Sequence, residues 1–189
     1  HHFGFRRKGD ADFLRSKSSQ FGYTVDEVDQ ELWNNEVISS TVIRKLVSEG
    51  DIKSASNMLG RKFAVMGTVV KGSGRGRHLS FPTANIIPDN NTMLIPGYGV
   101  YLVDVYHQKK HFHGMCNIGI RPTFENGENR HIEVHLFENN IPDLYEQHLR
   151  VEFISFIRNE DKFPTASDLV EQIRRDRKHC IGLIEEKKN

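Results

Sequence analysis

Cysteine, tryptophan and proline are scarce in this chain, and long apolar runs are missing. The 189 residues include two cysteines, one tryptophan and six prolines. Cys116 and Cys180 lie far apart and without metal-ligand spacing, so the sequence predicts buried, reduced thiols rather than a disulfide framework. No run approaches the roughly 20 apolar residues of a membrane helix, and no signal-peptide pattern opens the chain. We therefore expect a soluble, cytoplasmic protein without a membrane partner.

An excess of one charge sign is also missing. Twenty-six Lys and Arg residues stand against 25 Asp and Glu residues, which gives a net charge of +1. No overall field therefore draws the protein to nucleic acid, and any basic patch must be local. The length suits one domain, or one domain with a fragment of another.

A run rich in glycine and arginine is the most informative segment that is present. It contains Gly72, Gly74, Arg75, Gly76 and Arg77. Glycine lets backbone N–H groups approach an anion closely, and guanidinium groups pair well with phosphate oxygens. A Walker A loop would need Lys followed by Ser or Thr, and a dinucleotide fingerprint would need a helix after its third glycine. The run therefore predicts a phosphate site of another kind.

The segment after this run continues as Pro82-Thr83-Ala84-Asn85. Proline favours an extended chain before it and withholds an amide, which predicts an irregular or edge strand. The run and the tetrapeptide together resemble the signature of the riboflavin kinase family. That resemblance implies that the glycine-rich run covers the ATP phosphates and that Thr83 and Asn85 hold Mg²⁺ and phosphate. Hydroxyl and amide oxygens suit that metal. The alternative is a turn pair that hydrogen-bonds its own backbone.

Short β-rich runs separated by Gly, Pro and Asn turns fill most of the chain after Gly60. The pattern predicts strands at 63–70, 99–106, 111–118, 131–137 and 149–157. Little helix lies between them, which favours an antiparallel barrel or sandwich. The family resemblance, over residues 61–184, implies a mainly β fold: a Greek-key barrel of about six strands with a C-terminal helix. Leu169, Ile173, Cys180 and Leu183 are predicted to face inward from that helix.

A loop at 117–124 and the strand after it carry a second part of the resemblance. The loop reads Asn-Ile-Gly-Ile-Arg-Pro-Thr-Phe, and the strand contains Glu133. The family likeness assigns this carboxylate the role of catalytic base. Period-2 alternation places Glu133 on the strand face opposite the apolar residues at 132, 134 and 136. Taken alone, a strand glutamate is usually a solvated surface residue.

The flavin contacts are implied by the same likeness. In relatives the flavin lies between the final helix and the loop before the catalytic strand, which makes Asn129, Arg130, Arg174 and Asp176 the candidates. For the two helical residues the alternative is an ordinary solvated charged face. The family likeness implies ATP with Mg²⁺ and riboflavin as reactants, and FMN and ADP as products.

The first 60 residues predict a helical hairpin, with caps at 39–41 and at Asp51 and with glycines at 50 and 60. The sequence around Ser39, Ser40, Thr41 and Arg44 resembles the ATP motif of the FMN adenylyltransferase module of bifunctional FAD synthetases. We therefore expect residues 1–60 to be the C-terminal part of that α/β nucleotidyltransferase domain and residues 61–189 to be the kinase domain. The 189 residues contain no His-x-Gly-His segment of the adenylyltransferase, so we expect FMN but not FAD as product. The alternative reading of the motif is a simple helix cap.

Three other functions are considered for this sequence. A small barrel could bind nucleic acid through the glycine/arginine run, but residues 71–80 contain no aromatic side chain for stacking. A non-catalytic flavin-binding barrel would not need Glu133 or the 82–85 tetrapeptide. A metal protein could use His107, His111 and His113, but the sequence shows no carboxylate or cysteine that completes the set.

Overall fold

The computed structural model describes residues 3–72, 74, 76, 79–120, 130–138 and 140–186. The chain divides into two compact units, His1–Ile38 and Ser39–Asn189. None of the helices in the described part of the chain combines the length and the apolar character that a bilayer crossing requires.

The first unit contains one helix and a two-strand hairpin. Helix α1 (Ala11–Phe21) begins after Asp10, whose carboxylate accepts a hydrogen bond from the Phe13 amide at 2.8 Å. Strands β1 (Leu32–Trp33) and β2 (Glu36–Val37) pair in antiparallel fashion. The structure gives this unit little secondary structure beyond these elements.

The second unit begins with the predicted helical hairpin, α2 (Ser40–Glu49) and α3 (Ile52–Leu59). Ser39 Oγ accepts a hydrogen bond from the Val42 amide at 3.3 Å, and Asp51 caps α3 in the same way. Gly50 ends α2 with a φ of 85°, a conformation that favours glycine. Apolar side chains of both helices join the core of the following barrel: Ile43, Leu46, Val47, Ile52 and Ala55.

Six strands form a closed antiparallel barrel, as predicted. They are β3 (Ala64–Val70), β4 (Ala84–Pro88), β5 (Gly99–His107), β6 (Lys110–Ile120), β7 (Arg130–Leu136) and β8 (His148–Arg158). Their order around the barrel is β3-β4-β7-β6-β5-β8, and β8 pairs with β3 to close it. Because β5, β6 and β7 are successive neighbours and β4 lies beside β7, the connections are of the Greek-key type.

Strand β4 differs from its prediction as an irregular or edge strand. It pairs with β3 on one side and with β7 on the other, so that Asn85 faces Val70 and Glu133. The prediction was wrong because Pro82 lies before the strand begins, where its missing N–H interrupts no ladder. This central position brings the glycine-rich run beside the strand that carries Glu133.

Helix α4 (Ala166–Glu186) completes the unit and covers part of the barrel's outer face. Its first turn is capped by Thr165, whose Oγ1 accepts a hydrogen bond from the Asp168 amide at 3.1 Å. The predicted inward residues Ile173, Cys180 and Leu183 pack against outward side chains of β5 and β6, while Leu169 is half-buried. Burial raises the pKa of the Cys180 thiol to about 12, which agrees with the predicted reduced, inert thiol.

Candidate active site

Strands β4 and β7 place Asn85 and Glu133 opposite each other on the outer face of the barrel. The neighbouring residues Ile132 and Val134 point into the core, as the alternation predicted. The Glu133 side chain is 30% exposed, and its Oε1 lies 3.5 Å from Nδ1 of His131. A carboxylate that is held on a rigid strand and still open to solvent can meet a substrate hydroxyl.

Asn85 is a buried polar residue in an unusual state. Only 6% of it is exposed, and its Oδ1 has no hydrogen-bond partner among the described residues. A buried acceptor without a partner costs about 1–3 kcal/mol. A hard cation would satisfy this oxygen, so the geometry fits the Mg²⁺ that the family likeness implies.

Gly72 lies against this asparagine, and Gly76 lies against Thr83. A Cβ atom at Gly72 would lie 2.0 Å from Asn85 Nδ2, and one at Gly76 would lie 3.0 Å from Thr83 Oγ1. The Phe81 amide also donates a hydrogen bond to the Gly76 carbonyl at 2.8 Å. Close packing therefore favours glycine at 72 and 76.

One cleft of about 1790 Å³ gathers most of the predicted site. Its walls include residues from the glycine-rich run, from β4, from β7 and from α4: Gly72, Gly74, Gly76, Thr83, Asn85, Glu133 and Arg174. The predicted phosphate contacts Arg75 and Arg77 lie outside the described residues. Its lining runs from Val69 to Glu185, so residues far apart in the sequence meet in this cleft.

Of the predicted flavin residues, only Arg174 lies among the described residues that line the cleft. Asp176 is buried and forms an ion pair with Arg158, whose Nη2 lies 2.9 Å from its carboxylate. Arg130 donates hydrogen bonds to the carbonyls of residues 95 and 96, and neither it nor Asp176 is among the described lining residues. Asn129 lies outside the described residues.

Two cations of α4 were missed by the sequence argument. Arg177 and Lys178 line the cleft beside Arg174, and Arg177 Nη2 donates a hydrogen bond to the Phe137 carbonyl at 3.1 Å. Spacings of three and four residues from Arg174 put both cations on its helix face, which is the signal that could have identified them.

His135 is a further cleft residue that was not predicted. Its Nδ1 donates a hydrogen bond to the Pro82 carbonyl at 2.9 Å, and its ring packs edge-on against Phe81. Burial lowers the pKa of His135, and this effect outweighs the hydrogen bond to Pro82, which raises it; the nearby charge of Arg177 lowers it further. A neutral imidazole therefore joins β7 to the chain segment that leads into β4.

The adenylyltransferase motif lies elsewhere in the second unit. Ser39 caps α2, while Ser40, Thr41 and Arg44 are exposed on its first turns. None of the four lines the described part of the cleft. The structure thus keeps the two predicted ATP motifs apart.

Comparison with known proteins points to one family. The Flavokinase (riboflavin kinase) family matches residues 59–183. "Bifunctional riboflavin kinase/FMN adenylyltransferase" of Buchnera aphidicola (subsp. Acyrthosiphon pisum, strain APS) is 40% identical over 92% of this chain and 55% of its own length. The protein of that name from Haemophilus influenzae is 39% identical over 92% of this chain and 56% of its own length. The chain therefore spans about half the length of these relatives.

A solved structure extends the likeness to three dimensions. A chain named "Macrolide-efflux Protein", from Streptococcus pneumoniae, superposes with a TM-score of 0.81 at 33% identity, covering 94% of this chain and 56% of that one. The family match covers the barrel, the glycine-rich run, the strand of Glu133 and nearly all of α4. Since the match extends over most of the chain and includes every element that builds the cleft, this chain belongs to the riboflavin kinase family.

Proposed function

We propose that this chain transfers the γ-phosphoryl group of ATP to the ribityl hydroxyl of riboflavin and so produces FMN and ADP. One observation carries the proposal. The unpaired Oδ1 of buried Asn85 and the carboxylate of Glu133 face one cleft from directly paired positions. A potential metal ligand thus lies beside a potential base, which is the arrangement that phosphoryl transfer to an alcohol needs.

Each group then has a defined task. Glu133 orients the attacking hydroxyl and accepts its proton as the new P–O bond forms and the bond to the ADP leaving group breaks. Thr83 Oγ1 and Asn85 Oδ1 would hold Mg²⁺, which when bound offsets the charge of the phosphates. The backbone of Gly72, Gly74 and Gly76 covers the phosphates, together with the predicted Arg75 and Arg77.

The α4 wall of the cleft is proposed as the flavin side. Arg174 stays a predicted contact and is supported by its position in the cleft, and Arg177 and Lys178 add positive charge there. This charge would favour an anionic product such as FMN. Asn129, Arg130 and Asp176 stay predictions, and the buried ion pair suggests that Asp176 acts by fixing α4 to Arg158.

The direct test incubates the chain with riboflavin, ATP and Mg²⁺ and separates the flavins by chromatography. We expect FMN to form with equimolar ADP, and to depend on Mg²⁺. Riboflavin that is bound but not converted would favour the alternative of a non-catalytic flavin-binding barrel.

We also propose that residues 1–60 are the end of an FMN adenylyltransferase domain and that Ser39, Ser40, Thr41 and Arg44 are its ATP motif. Support comes from exposed hydroxyls and a guanidinium at the start of α2, where free amides favour an anion. Nuclear magnetic resonance can test this: ATP should shift the amide signals of residues 40–44, and Arg44→Ala should weaken the effect. Lys45→Ala, with an exposed cation one residue away, is the matched control. If ATP leaves the amide signals of residues 40–44 unchanged, the motif is better explained as a simple helix cap.

A further inference from the structure

A cluster of three metal-ligand side chains lies on the β5–β6 hairpin. Asp104 of β5 faces His113 of β6 across the ladder, and His111 lies two residues away on the same strand face. His113 Nδ1 lies 2.8 Å and His111 Nε2 lies 3.2 Å from the same atom, Asp104 Oδ1. The three ligand atoms are all within 4.8 Å of one another. None of the three residues lines the described part of the cleft.

The sequence alone did not reveal this cluster, because only the register of the β5–β6 hairpin brings Asp104 beside His111 and His113. The antiparallel ladder supplies Asp104 from the neighbouring strand. His107, the third histidine of the sequence hypothesis, is instead within hydrogen-bond distance of Gln147, with its Nε2 3.2 Å from Oε1. The structure therefore replaces the set of three histidines by two histidines and one aspartate.

We propose that Asp104, His111 and His113 form a binding site for a divalent first-row transition-metal ion such as Zn²⁺. Two imidazoles and one carboxylate are a donor set that such ions accept readily. Metal–ligand bonds of about 2.0–2.1 Å in a tetrahedral arrangement separate the ligand atoms by about 3.3 Å. The observed separations from Asp104 are 2.8 and 3.2 Å, and all three ligand atoms lie within 4.8 Å of one another, which is close to that spacing.

Neighbouring groups already hold the three ligands in position. Lys62 Nζ binds the other carboxylate oxygen of Asp104 at 2.6 Å, which leaves Oδ1 directed at the imidazoles. Tyr106 stacks on the His111 ring at 4.8 Å, and the His113 amide donates a hydrogen bond to Glu138 Oε1 at 2.9 Å. Such surrounding contacts orient ligands and raise metal affinity.

Charge and exposure are compatible with a bound ion. The Lys62 ammonium opposes a second cation, but Glu152 lies 3.5 Å from it and offsets part of its charge. The side chains of His111 and His113 are 41% and 30% exposed, so solvent reaches the site and water can supply a fourth ligand. For ligation His111 Nε2 and His113 Nδ1 carry no proton, so each ring proton lies on the other ring nitrogen.

Calorimetric titration of the whole chain with Zn²⁺, in excess Mg²⁺, tests the proposal. We expect one equivalent of Zn²⁺ to bind, and His111→Ala and His113→Ala each to weaken that binding at least ~10-fold. His107→Ala is the matched control, since it removes a histidine of the same hairpin that is not a member of the cluster and lies within hydrogen-bond distance of Gln147. It should change the affinity less than ~2-fold.

A second variant separates ligation from folding. His111→Phe can keep the stacking on Tyr106 but has no ligand atom, so it should lose Zn²⁺ affinity as fully as His111→Ala while circular dichroism stays unchanged. The absorption spectrum of the Co²⁺-loaded chain should also show a low-symmetry site that the variant lacks. Equal Zn²⁺ binding by the original chain and the His111 and His113 variants, an equal loss in His107→Ala, or no binding by the original chain would overturn the proposal.

Discussion

Strands β5 and β7 follow the same alternation, yet their outward side chains have opposite environments. On β5 the outward residues Val100 and Leu102 are buried beneath α4. On β7 the outward residues Glu133 and His135 line the open cleft. Since both strands send apolar residues inward to the same core, the barrel interior does not distinguish them. The cover over the outer face decides which strand stabilises the unit and which carries the proposed chemistry.

Helix α4 belongs to both sides of this comparison. One stripe, with Ile173 and Cys180, packs on β5 and β6, and another, with Arg174 and Arg177, lines the cleft. Stripes a few residues apart on one helix thus serve packing and binding at once. A change on one stripe should leave the task of the other largely intact.

The largest effect is expected on the open side. Glu133→Gln keeps the side-chain shape but removes the proposed base, so kcat should fall by at least ~10², while ATP and flavin affinities stay within a few-fold. Steady-state formation of FMN measures this. Glu138→Gln is the control, because Glu138 also lines the cleft but is directed at the His113 amide. A near-normal kcat in Glu133→Gln would remove Glu133 from the mechanism.

A substitution on the face of β5 that α4 covers should lower the stability of the chain. Leu102 is 1% exposed between the barrel and α4, so Leu102→Ala should lower the free energy of unfolding by about 2–4 kcal/mol. Urea denaturation measures the loss, and the folded fraction should keep the kcat of the original chain. Ile87→Ala, at an exposed outer position of β4, should change stability by less than about 0.5 kcal/mol. Equal losses in the two variants would contradict the packing role of α4.

A smaller effect is expected at Thr83 and Asn85, the proposed metal ligands. Asn85→Ala removes an oxygen that has no protein partner in the described structure, so ATP binding should weaken roughly 10-fold with Mg²⁺ and little without it. Thr83→Ala should act in the same direction. Calorimetric titration with and without Mg²⁺ is the measurement. Unchanged ATP binding in both variants would favour the reading of Thr83 and Asn85 as a turn pair.

The sequence predicted the local features of this molecule better than its long-range ones. The five strands identified from β-branched and aromatic residues are present with bounds within two residues, because alternation and turns are local signals. Strand β4 was not recognised as a central strand, since its two partners come from distant parts of the chain. Asp104 was missed as a companion of His111 and His113 because only the register of the β5–β6 hairpin places it opposite His113.

The site shows the same division. Motif likeness singled out Thr83, Asn85 and Glu133, and the structure brings them to one cleft. The motif likeness did not indicate that Asp176 forms a buried ion pair with Arg158, because that pairing depends on how α4 lies against β8. Helical spacing contained the information on Arg177, but charge on a helix is usually solvated and only the cleft distinguishes it.

The smallest effect concerns the histidine on the open side. Burial lowers the pKa of His135, so the neutral form is favoured in the folded chain relative to the unfolded one, where the pKa is about 6.5. The lowered pKa of His135 therefore stabilises the folded chain fully above pH ~6.5. This stabilisation is lost as the pH falls through the lower pKa of the folded state. Between pH 7 and pH 5 we expect the original chain to lose stability more steeply than His135→Gln, in urea denaturation at each pH. A titration of the His135 ring signals gives the independent check, since a midpoint at or above the ordinary histidine value would contradict the burial of this imidazole against Phe81.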